Sequence, residues 1–241
     1  MAEHPTLPTH GHCRGLGQTN GIEEANKQFF NSAGIAEHYS ERPGALECAR
    51  RLVAAMLKLY HFAEEETTVM DFACGTGLIS RELAPHAKSI VGVDISQNMV
   101  DMYNLSVYNQ GISPDEMRAV CIPAIKEDEE HLKGMTFDVI VCANAYHHFA
   151  SIDSVTKSLV SYLKQGASLL VADLIKSQSS EEIFPSNAHH IVPHTGGFTA
   201  EEVRNAFEGA GLHNFSFTKA TNAMPRHATE SVTFFVARGD K

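Results

Sequence analysis

The chain has 241 residues and a formal charge of −10, with 19 Lys and Arg against 29 Asp and Glu. No basic cluster offers a surface to a phosphate backbone, so a nucleic acid is not expected as a substrate. No apolar run approaches the roughly 18–20 residues that span a bilayer. Residues 1–8 lack the basic and apolar regions of a secretory signal. We therefore expect a cytoplasmic protein with no membrane partner.

The composition changes along the chain and suggests how it is organised. Residues 1–20 combine Pro, Gly and His with no apolar period, and they are predicted to be a flexible tail. Residues 21–241 are predicted to form a single domain. Within it, residues 21–66 would be a helical cap and residues 67–241 an α/β core.

Helical and strand patterns alternate in this domain. In the cap, apolar residues fall at helical spacing from about Glu23 to Tyr39 and from Pro43 to Tyr60. After the cap, short runs rich in Val, Ile and Phe predict strands at Thr68–Phe72, Ser89–Val93, Arg118–Ile122, Phe137–Cys142 and Ser168–Leu174. Helices are predicted between them at Leu78–Pro85, Ser96–Gln110, Lys126–Leu132 and Asp153–Leu163.

This alternation predicts the fold class. Apolar strands that alternate with helices form a parallel sheet covered on both faces, and right-handed crossovers make it doubly wound. A capping box at Thr199–Glu202 opens a last helix, and two strands follow at about Asn214–Thr218 and Ser231–Ala237 with no helix between them. We predict an α/β fold with N-terminal helices and a doubly wound, mostly parallel seven-stranded sheet that ends in an antiparallel hairpin strand.

A glycine-rich turn follows the first predicted strand. Gly75 and Gly77 allow a tight turn and a close approach of a ligand, and the next helix begins with unpaired amides. Asp94 ends the second strand, 19 residues after Gly75, where a carboxylate can accept both hydroxyls of an adenosine ribose. The alternative is that the glycines form an ordinary turn and that Asp94 caps a helix.

Two kinds of cofactor would put a ribose at such an acid. A dinucleotide site has a third small residue in Gly-x-Gly-x-x-Gly, and that position is Ser80 here. Asp71, just before the turn, has no task beside a pyrophosphate, but it suits the ammonium group of a methionine moiety. These residues favour S-adenosylmethionine over a dinucleotide.

Four motifs in order carry a resemblance to a known family. They are Asp-Phe-Ala-Cys-Gly-Thr-Gly (71–77), Val-Gly-Val-Asp-Ile-Ser (91–96), Phe-Asp-Val-Ile-Val-Cys-Ala-Asn-Ala-Tyr-His-His-Phe (137–149) and Leu-Lys-Gln-Gly-Ala-Ser-Leu-Leu-Val (163–171). From about Tyr39 to Ala237 the chain resembles the class I S-adenosylmethionine-dependent methyltransferases, most closely the small-molecule branch with the ubiquinone-biosynthesis type enzymes. The resemblance implies direct in-line methyl transfer to an O, N or S atom of a metabolite.

The resemblance also implies roles for single residues. Twelve residues would surround the cofactor. They come from the cap, from the glycine turn and the acid before it, and from the ends of the second and fourth strands. They are Tyr39, Asp71, Ala73, Cys74, Gly75, Thr76, Gly77, Asp94, Ile95, Met99, Ala143 and Asn144. Ala73 stands where the family has a glycine, which is tolerated if that residue has an ordinary φ. No acid follows the third strand to receive the adenine amino group, and Tyr39 suits ordinary helix packing equally well.

Histidines are the candidates for contact with the methyl acceptor. His147 and His148 follow the fourth strand, and a nearby sulfonium would keep either one neutral and able to act as a catalytic base; the alternative is that they brace the loop. His190 and His194 fall in a predicted lid, residues 176–198, and would bind substrate. Their spacing also resembles a metal pair, but no third ligand accompanies them, so no metal is predicted.

Two other functions stay open. A protein of this fold can bind the cofactor without methylating, as a partner subunit or as an enzyme that rearranges a ligand in its pocket. A dehydrogenase is the third possibility. The sequence leaves the oligomeric state open.

Overall fold

The computed structural model describes residues 18–40, 43–125, 129–176, 183–184, 186–223 and 231–241. Seven strands form one sheet: β1 Thr68–Phe72, β2 Ser89–Asp94, β3 Met117–Cys121, β4 Phe137–Ala143, β5 Leu163–Leu174, β6 His213–Ala223 and β7 Val232–Asp240. Their order is β3-β2-β1-β4-β5-β7-β6. The first five strands run parallel, and β7 is antiparallel to both β5 and β6. The predicted fold class is confirmed.

Helices cover both faces of the sheet. They are α1 Gln18–Phe30, α2 Ile35–Ser40, α3 Pro43–Leu59, α4 Leu78–Leu83, α5 Gln97–Asn109, α6 Ile152–Ser161 and α7 Ala200–Gly209. On one face, α3, α4 and α5 bury Leu52, Ile79 and Tyr103 against the strands. On the other face, α6 and α7 bury Leu159 and Phe207. Burial of the apolar face of each helix is the main source of stability for such a layered fold.

Two helix predictions were wrong in detail. The helix predicted from Glu23 to Tyr39 is two helices, because the chain turns at Gly34, whose φ of 78° lies in the left-handed region that favours glycine. Of the helix predicted at Lys126–Leu132, residues 126–128 lie outside the described residues, and the rest forms only a single 3-10 turn at Glu130–Leu132.

The predicted tail and lid fall largely or partly outside the described residues. Residues 1–17 of the tail are not described, and α1 already begins at Gln18. Residues 177–182 and 185 of the lid are not described either. Among the helices that the structure does describe, none has both the length and the apolar character needed to traverse a bilayer.

The topology creates a crevice at one edge of the sheet. The chain winds outward from β1 in both directions, since β1 pairs with β2 on one side and with β4 on the other. In open α/β sheets ligands bind outside the carboxyl ends of the strands at this reversal of strand order. Both the glycine turn after β1 and the acid that ends β2 lie at this edge.

Candidate functional site

A cavity of about 280 Å³ occupies the crevice. It extends from the segment after β3 across the ends of β2 and β1 to the segment after β4, and α1 and α2 contribute residues to its cover. Of the twelve predicted cofactor-binding residues, those that line the cavity are Tyr39, Asp71, Ala73, Cys74, Gly75, Thr76, Asp94, Ile95, Met99, Ala143 and Asn144. Gly77, the last residue of the turn, does not line it.

Asp94 holds the glycine turn in place. One carboxylate oxygen accepts a hydrogen bond from the Gly75 amide at 2.8 Å, and the other accepts one from the Ser96 amide at 2.9 Å. Burial raises the pKa of Asp94, although these backbone hydrogen bonds work in the opposite direction. The carboxylate therefore joins the end of β2 to the turn after β1 and faces the cavity between them.

The turn bends sharply because three of its residues are left-handed. Gly75 and Gly77 have φ values of 53° and 86°, which cost a glycine little. Ala73 has a φ of 56°, so the expectation that it takes an ordinary φ was wrong. The left-handed conformation costs an alanine roughly 1–2 kcal/mol, because its Cβ crowds the following carbonyl oxygen.

Replacement of Ala73 by Gly is therefore expected to stabilise the fold. The relief of strain outweighs the extra entropy of a glycine in the unfolded chain, for a net gain of about 1 kcal/mol. Thermal unfolding should show a Tm higher by about 2–4 °C. Ala87→Gly is the matched control, since Ala87 has an extended backbone with φ −134° and should lose stability instead. An Ala73→Gly protein that melts below the wild type would contradict the strain argument.

A tyrosine that the sequence analysis missed supports the turn from behind. Tyr103 of α5 is 1% exposed. A Cβ atom at Gly77 would come within 2.7 Å of its ring, and one at Gly92 would come within 3.0 Å. Both glycines therefore make room for the ring. Their spacing in the sequence carries no signal of this contact, because Tyr103 reaches them from another element.

Asp71 is a buried acid at the end of β1 whose partner is Ser80. The Ser80 hydroxyl donates to its carboxylate at 2.6 Å, which explains why a serine stands where a dinucleotide site would have a small residue. Burial, reinforced by the nearby Asp94 carboxylate, raises the pKa of Asp71 to about 7, although the Ser80 hydrogen bond lowers it in part.

The cavity is acidic overall. Glu23, Asp71 and Asp94 line it, and among the described residues of its wall there is no Lys or Arg. Neither Asp71 nor Asp94 forms an ion pair with a described residue. The hydroxyl of Thr76 is buried and finds no hydrogen-bond partner in the described part of the chain. Buried carboxylates without a cation favour a ligand that brings positive charge.

His147 lies behind the cavity wall and pairs with Asp173, which the sequence analysis missed. Its Nδ1 lies 2.9 Å from Asp173 Oδ1, and its ring stacks on Phe184 at 4.9 Å. Burial of Asp173 disfavours its charge, but the contacts with His147 outweigh burial and hold its pKa below the usual range. His147 does not line the cavity; these contacts brace the loop after β4, and its catalytic role stays a prediction.

His148 does line the cavity. Its Nδ1 lies 2.8 Å from the carbonyl oxygen of Ile191, and because a carbonyl only accepts, Nδ1 carries the proton and Nε2 keeps a lone pair. Burial, with a smaller effect of His147, lowers the pKa of His148 to about 3. The side chain is therefore a neutral hydrogen-bond acceptor at physiological pH and a weak base.

The other two predicted histidines do not line the cavity. His190 is exposed, and His194 packs on Phe198 with 4.9 Å between ring centroids. Neither is among the lining residues, so their contact with substrate stays a prediction. In the described ranges, no three His, Cys, Asp or Glu side chains are grouped to hold a metal ion.

A doubly wound sheet with an antiparallel β7 matches the α/β fold of S-adenosylmethionine-dependent methyltransferases, such as one from Aquifex aeolicus with a TM-score of 0.60. The chain matches the family described as "Methyltransferase domain" over residues 41–216, and it belongs to that family. The resemblance to class I S-adenosylmethionine-dependent methyltransferases is confirmed.

Individual relatives agree with this assignment. An uncharacterized methyltransferase of Schizosaccharomyces pombe is 39% identical over 158 residues, covering 61% of this chain and 54% of the relative. A ubiquinone biosynthesis O-methyltransferase of Chelativorans sp. is 29% identical over 110 residues, covering 46% and 41%. This chain thus spans about half the length of these curated relatives. Magnesium protoporphyrin IX methyltransferase from Synechocystis PCC 6803, solved with bound SAH, shares 15% identity and a TM-score of 0.64, covering 91% of this chain and 99% of that chain.

Proposed function

We propose that the chain binds S-adenosylmethionine in the cavity and transfers its methyl group to an O, N or S atom of a small molecule. One observation carries the proposal: Asp71 and Asp94 are buried carboxylates in the cavity wall, and neither has a cationic partner among the described residues. S-adenosylmethionine carries an ammonium group and a sulfonium against a single carboxylate, and this net positive charge compensates such an acidic wall. A dinucleotide would instead bring a pyrophosphate next to these acids, where charge repulsion opposes it.

The residues present fit this cofactor. Asp94 would hold the ribose hydroxyls, with Ile95 and Met99 against the adenine and Asp71 near the ammonium group. The turn from Ala73 to Gly77 would wrap the methionine and ribose end, where Thr76 has an unused buried hydroxyl. Ala143 and Asn144 would face the sulfur from the end of β4, and Tyr39 would close the cavity from α2.

The bound cofactor supplies a methyl group on a sulfonium, which is already a good leaving group. The chain needs no covalent intermediate, and its task is to position the acceptor atom and to exclude water. Positioning alone can lower a barrier by roughly 7–11 kcal/mol. His148 can orient an acceptor hydroxyl or amine through its Nε2, while its low pKa argues against its acting as a strong base.

Three features support a small acceptor rather than a macromolecule. The cavity is covered by α1 and α2, its volume is about 280 Å³, and its wall carries no basic side chain in the described residues. We expect one catalytic domain, residues 21–241. It consists of the cap (residues 21–66) and the core (residues 67–241), and the core includes the lid (residues 176–198). We expect this domain to act in the cytoplasm.

Calorimetric titration tests the proposal directly. We expect binding of S-adenosylmethionine and S-adenosylhomocysteine and no binding of NADH. Release of S-adenosylhomocysteine in the presence of small hydroxyl, amine or thiol compounds should follow. Tight NADH binding without S-adenosylmethionine binding would support a dehydrogenase instead. Cofactor binding without turnover on any acceptor would support a protein that uses the fold without methylating.

A further inference from the structure

Asn26 of α1 is a buried polar residue that the proposed cofactor site does not use. It is 6% exposed and lines the cavity. Its Nδ2 lies 3.0 Å from the carbonyl oxygens of Ile22 and Ile191 and 3.4 Å from that of His148. Because carbonyl oxygens only accept hydrogen bonds, these three neighbours fix which end of the amide is the nitrogen.

The other end of this amide has no partner. Asn26 Oδ1 is fully buried and accepts no hydrogen bond from any described residue. A buried polar atom left unsatisfied costs about 1–3 kcal/mol, so such atoms are rare in native proteins and point to a missing partner. Since other atoms of Asn26 line the cavity, a bound molecule can supply that hydrogen-bond donor once the side chain turns Oδ1 toward it.

A second acceptor lies beside it. The carbonyl oxygen of Ile191 receives hydrogen bonds from both Asn26 Nδ2 and His148 Nδ1, so the two side chains are neighbours at one wall of the cavity. His148 presents its unprotonated Nε2 as the remaining ring atom. Phe30 packs against the His148 ring with 5.4 Å between centroids, and Phe149 packs against Phe72 at 5.7 Å. Two acceptors thus stand among aromatic rings.

This pair lies away from the part of the cavity that suits a nucleoside. Asp94, Ile95 and Met99 belong to the end of β2 and the start of α5. Asn26 and His148 meet after β4, two strand positions along the sheet from β2. If the cofactor occupies the cavity as proposed, with its sulfur at the end of β4, the space beyond the sulfur beside Asn26 and His148 is left for the methyl acceptor.

We propose that Asn26 Oδ1 and His148 Nε2 bind the methyl acceptor by receiving hydrogen bonds from its hydroxyl or amine groups. The acceptor is then a neutral or cationic ring compound that donates hydrogen bonds. A methyl acceptor with a carboxylate or phosphate is disfavoured, because no Lys or Arg stands in the described wall and Glu23, Asp71 and Asp94 add negative charge to the same cavity. This inference rests on the proposed function, since it assumes the cofactor at the other end of the cavity.

Ligand-observed NMR on protein saturated with S-adenosylhomocysteine tests the proposal. The probes are matched sets: phenol, anisole and benzoate, and the corresponding 2-naphthol, 2-methoxynaphthalene and 2-naphthoate. We expect at least one hydroxyl compound to bind about tenfold tighter than its methyl ether and its carboxylate. Equal affinity within both sets, or no binding of either hydroxyl compound, overturns the proposal.

Two variants assign the preference to residues. Asn26→Leu removes the free acceptor, and His148→Asn keeps a donor for the Ile191 carbonyl while removing Nε2. Each should lose most of the tenfold hydroxyl preference and keep the affinity for S-adenosylhomocysteine. Gln28→Leu is the control, because Gln28 is an exposed amide on the same helix. If His148→Asn and Asn26→Leu both retain the preference, the assignment is wrong.

The two proposals fail in different ways. Titration of S-adenosylhomocysteine alone comes first for every variant. A wild-type protein that does not bind it contradicts the proposed function. A wild-type protein that binds it and shows no preference for hydroxyl probes contradicts only the role of Asn26 and His148.

Discussion

Replacement of Asp94 by Asn is expected to weaken S-adenosylmethionine binding at least about tenfold. The carboxylate would receive the ribose hydroxyls, and it already accepts hydrogen bonds from the Gly75 and Ser96 amides. An asparagine has one acceptor oxygen, and its NH₂ group would face one of these amides donor to donor. A charge-assisted hydrogen bond contributes about 1.5–3 kcal/mol, and each 1.4 kcal/mol is a factor of ten in affinity.

Calorimetry on the purified variant measures this loss, with circular dichroism to establish that the fold is kept. Asp101→Asn is the matched control, because Asp101 is an exposed acid on α5 that accepts a hydrogen bond from the Gln97 side chain and does not line the cavity. The control should bind like the wild type. Unchanged affinity in Asp94→Asn would mean that the ribose of the cofactor does not bind at the end of β2. The proposed function would then lose its basis.

Cofactor affinity is also expected to depend steeply on pH below 7, through Asp71. A pKa of about 7 in the folded protein means that this acid is mostly protonated at pH 5 and 6. Its ionised fraction rises about tenfold for each pH unit below the pKa. A cationic ligand needs the ionised form, so affinity should increase about tenfold from pH 5 to pH 6 and level off above pH 7. Binding below pH 7 should release a proton.

Calorimetry in two buffers with different ionisation enthalpies counts the released proton. Asp71→Asn should bind weakly and lose the pH dependence. Ser80→Ala should move the midpoint upward, because the Ser80 hydrogen bond is what lowers the pKa of Asp71. Affinity that is flat from pH 5 to pH 7 in the wild type would mean that Asp71 does not meet a positive charge.

The raised pKa of Asp71 also affects the stability of the fold, which should decrease with pH where the cofactor affinity increases. The folded state keeps a proton on Asp71 between the ordinary carboxyl pKa near 3.9 and about 7, whereas the unfolded state has lost it. The contribution of Asp71 to the free energy of unfolding is therefore largest below this window and falls as pH rises through it. Without ligand, Asp71→Asn should remove this part of the pH dependence in urea unfolding.

Local patterns were sufficient to predict the sheet and many of the residues that line the cavity around the glycine turn. The first five strands are nearly continuous apolar runs, and the pairing of Gly75 with Asp94 follows from a strand–turn–helix–strand unit of standard length. Strand ends were less well predicted. β5 begins at Leu163 rather than Ser168, because its first residues pair with the start of β4 through a register irregularity that a period-2 pattern does not contain.

Contacts between distant segments could not be predicted in the same way. His147 was predicted to be catalytic because it follows β4, but its partner Asp173 lies 26 residues further along, at the end of β5. Asn26 looked like any polar residue on a helix, and only the fold brings it to the Ile191 carbonyl, 165 residues away. The left-handed φ of Ala73 was hidden because alanine has no preference for it.

The glycine turn is held on two sides, by the Tyr103 ring behind it and by the Asp94 carboxylate that bonds to the Gly75 amide. It is therefore preorganised before any ligand arrives. Ordering a flexible loop during association consumes part of the interaction free energy, and a turn fixed by the fold avoids this entropic cost. The strain at Ala73 therefore reduces the stability of the folded protein, and it does not reduce the affinity for the ligand.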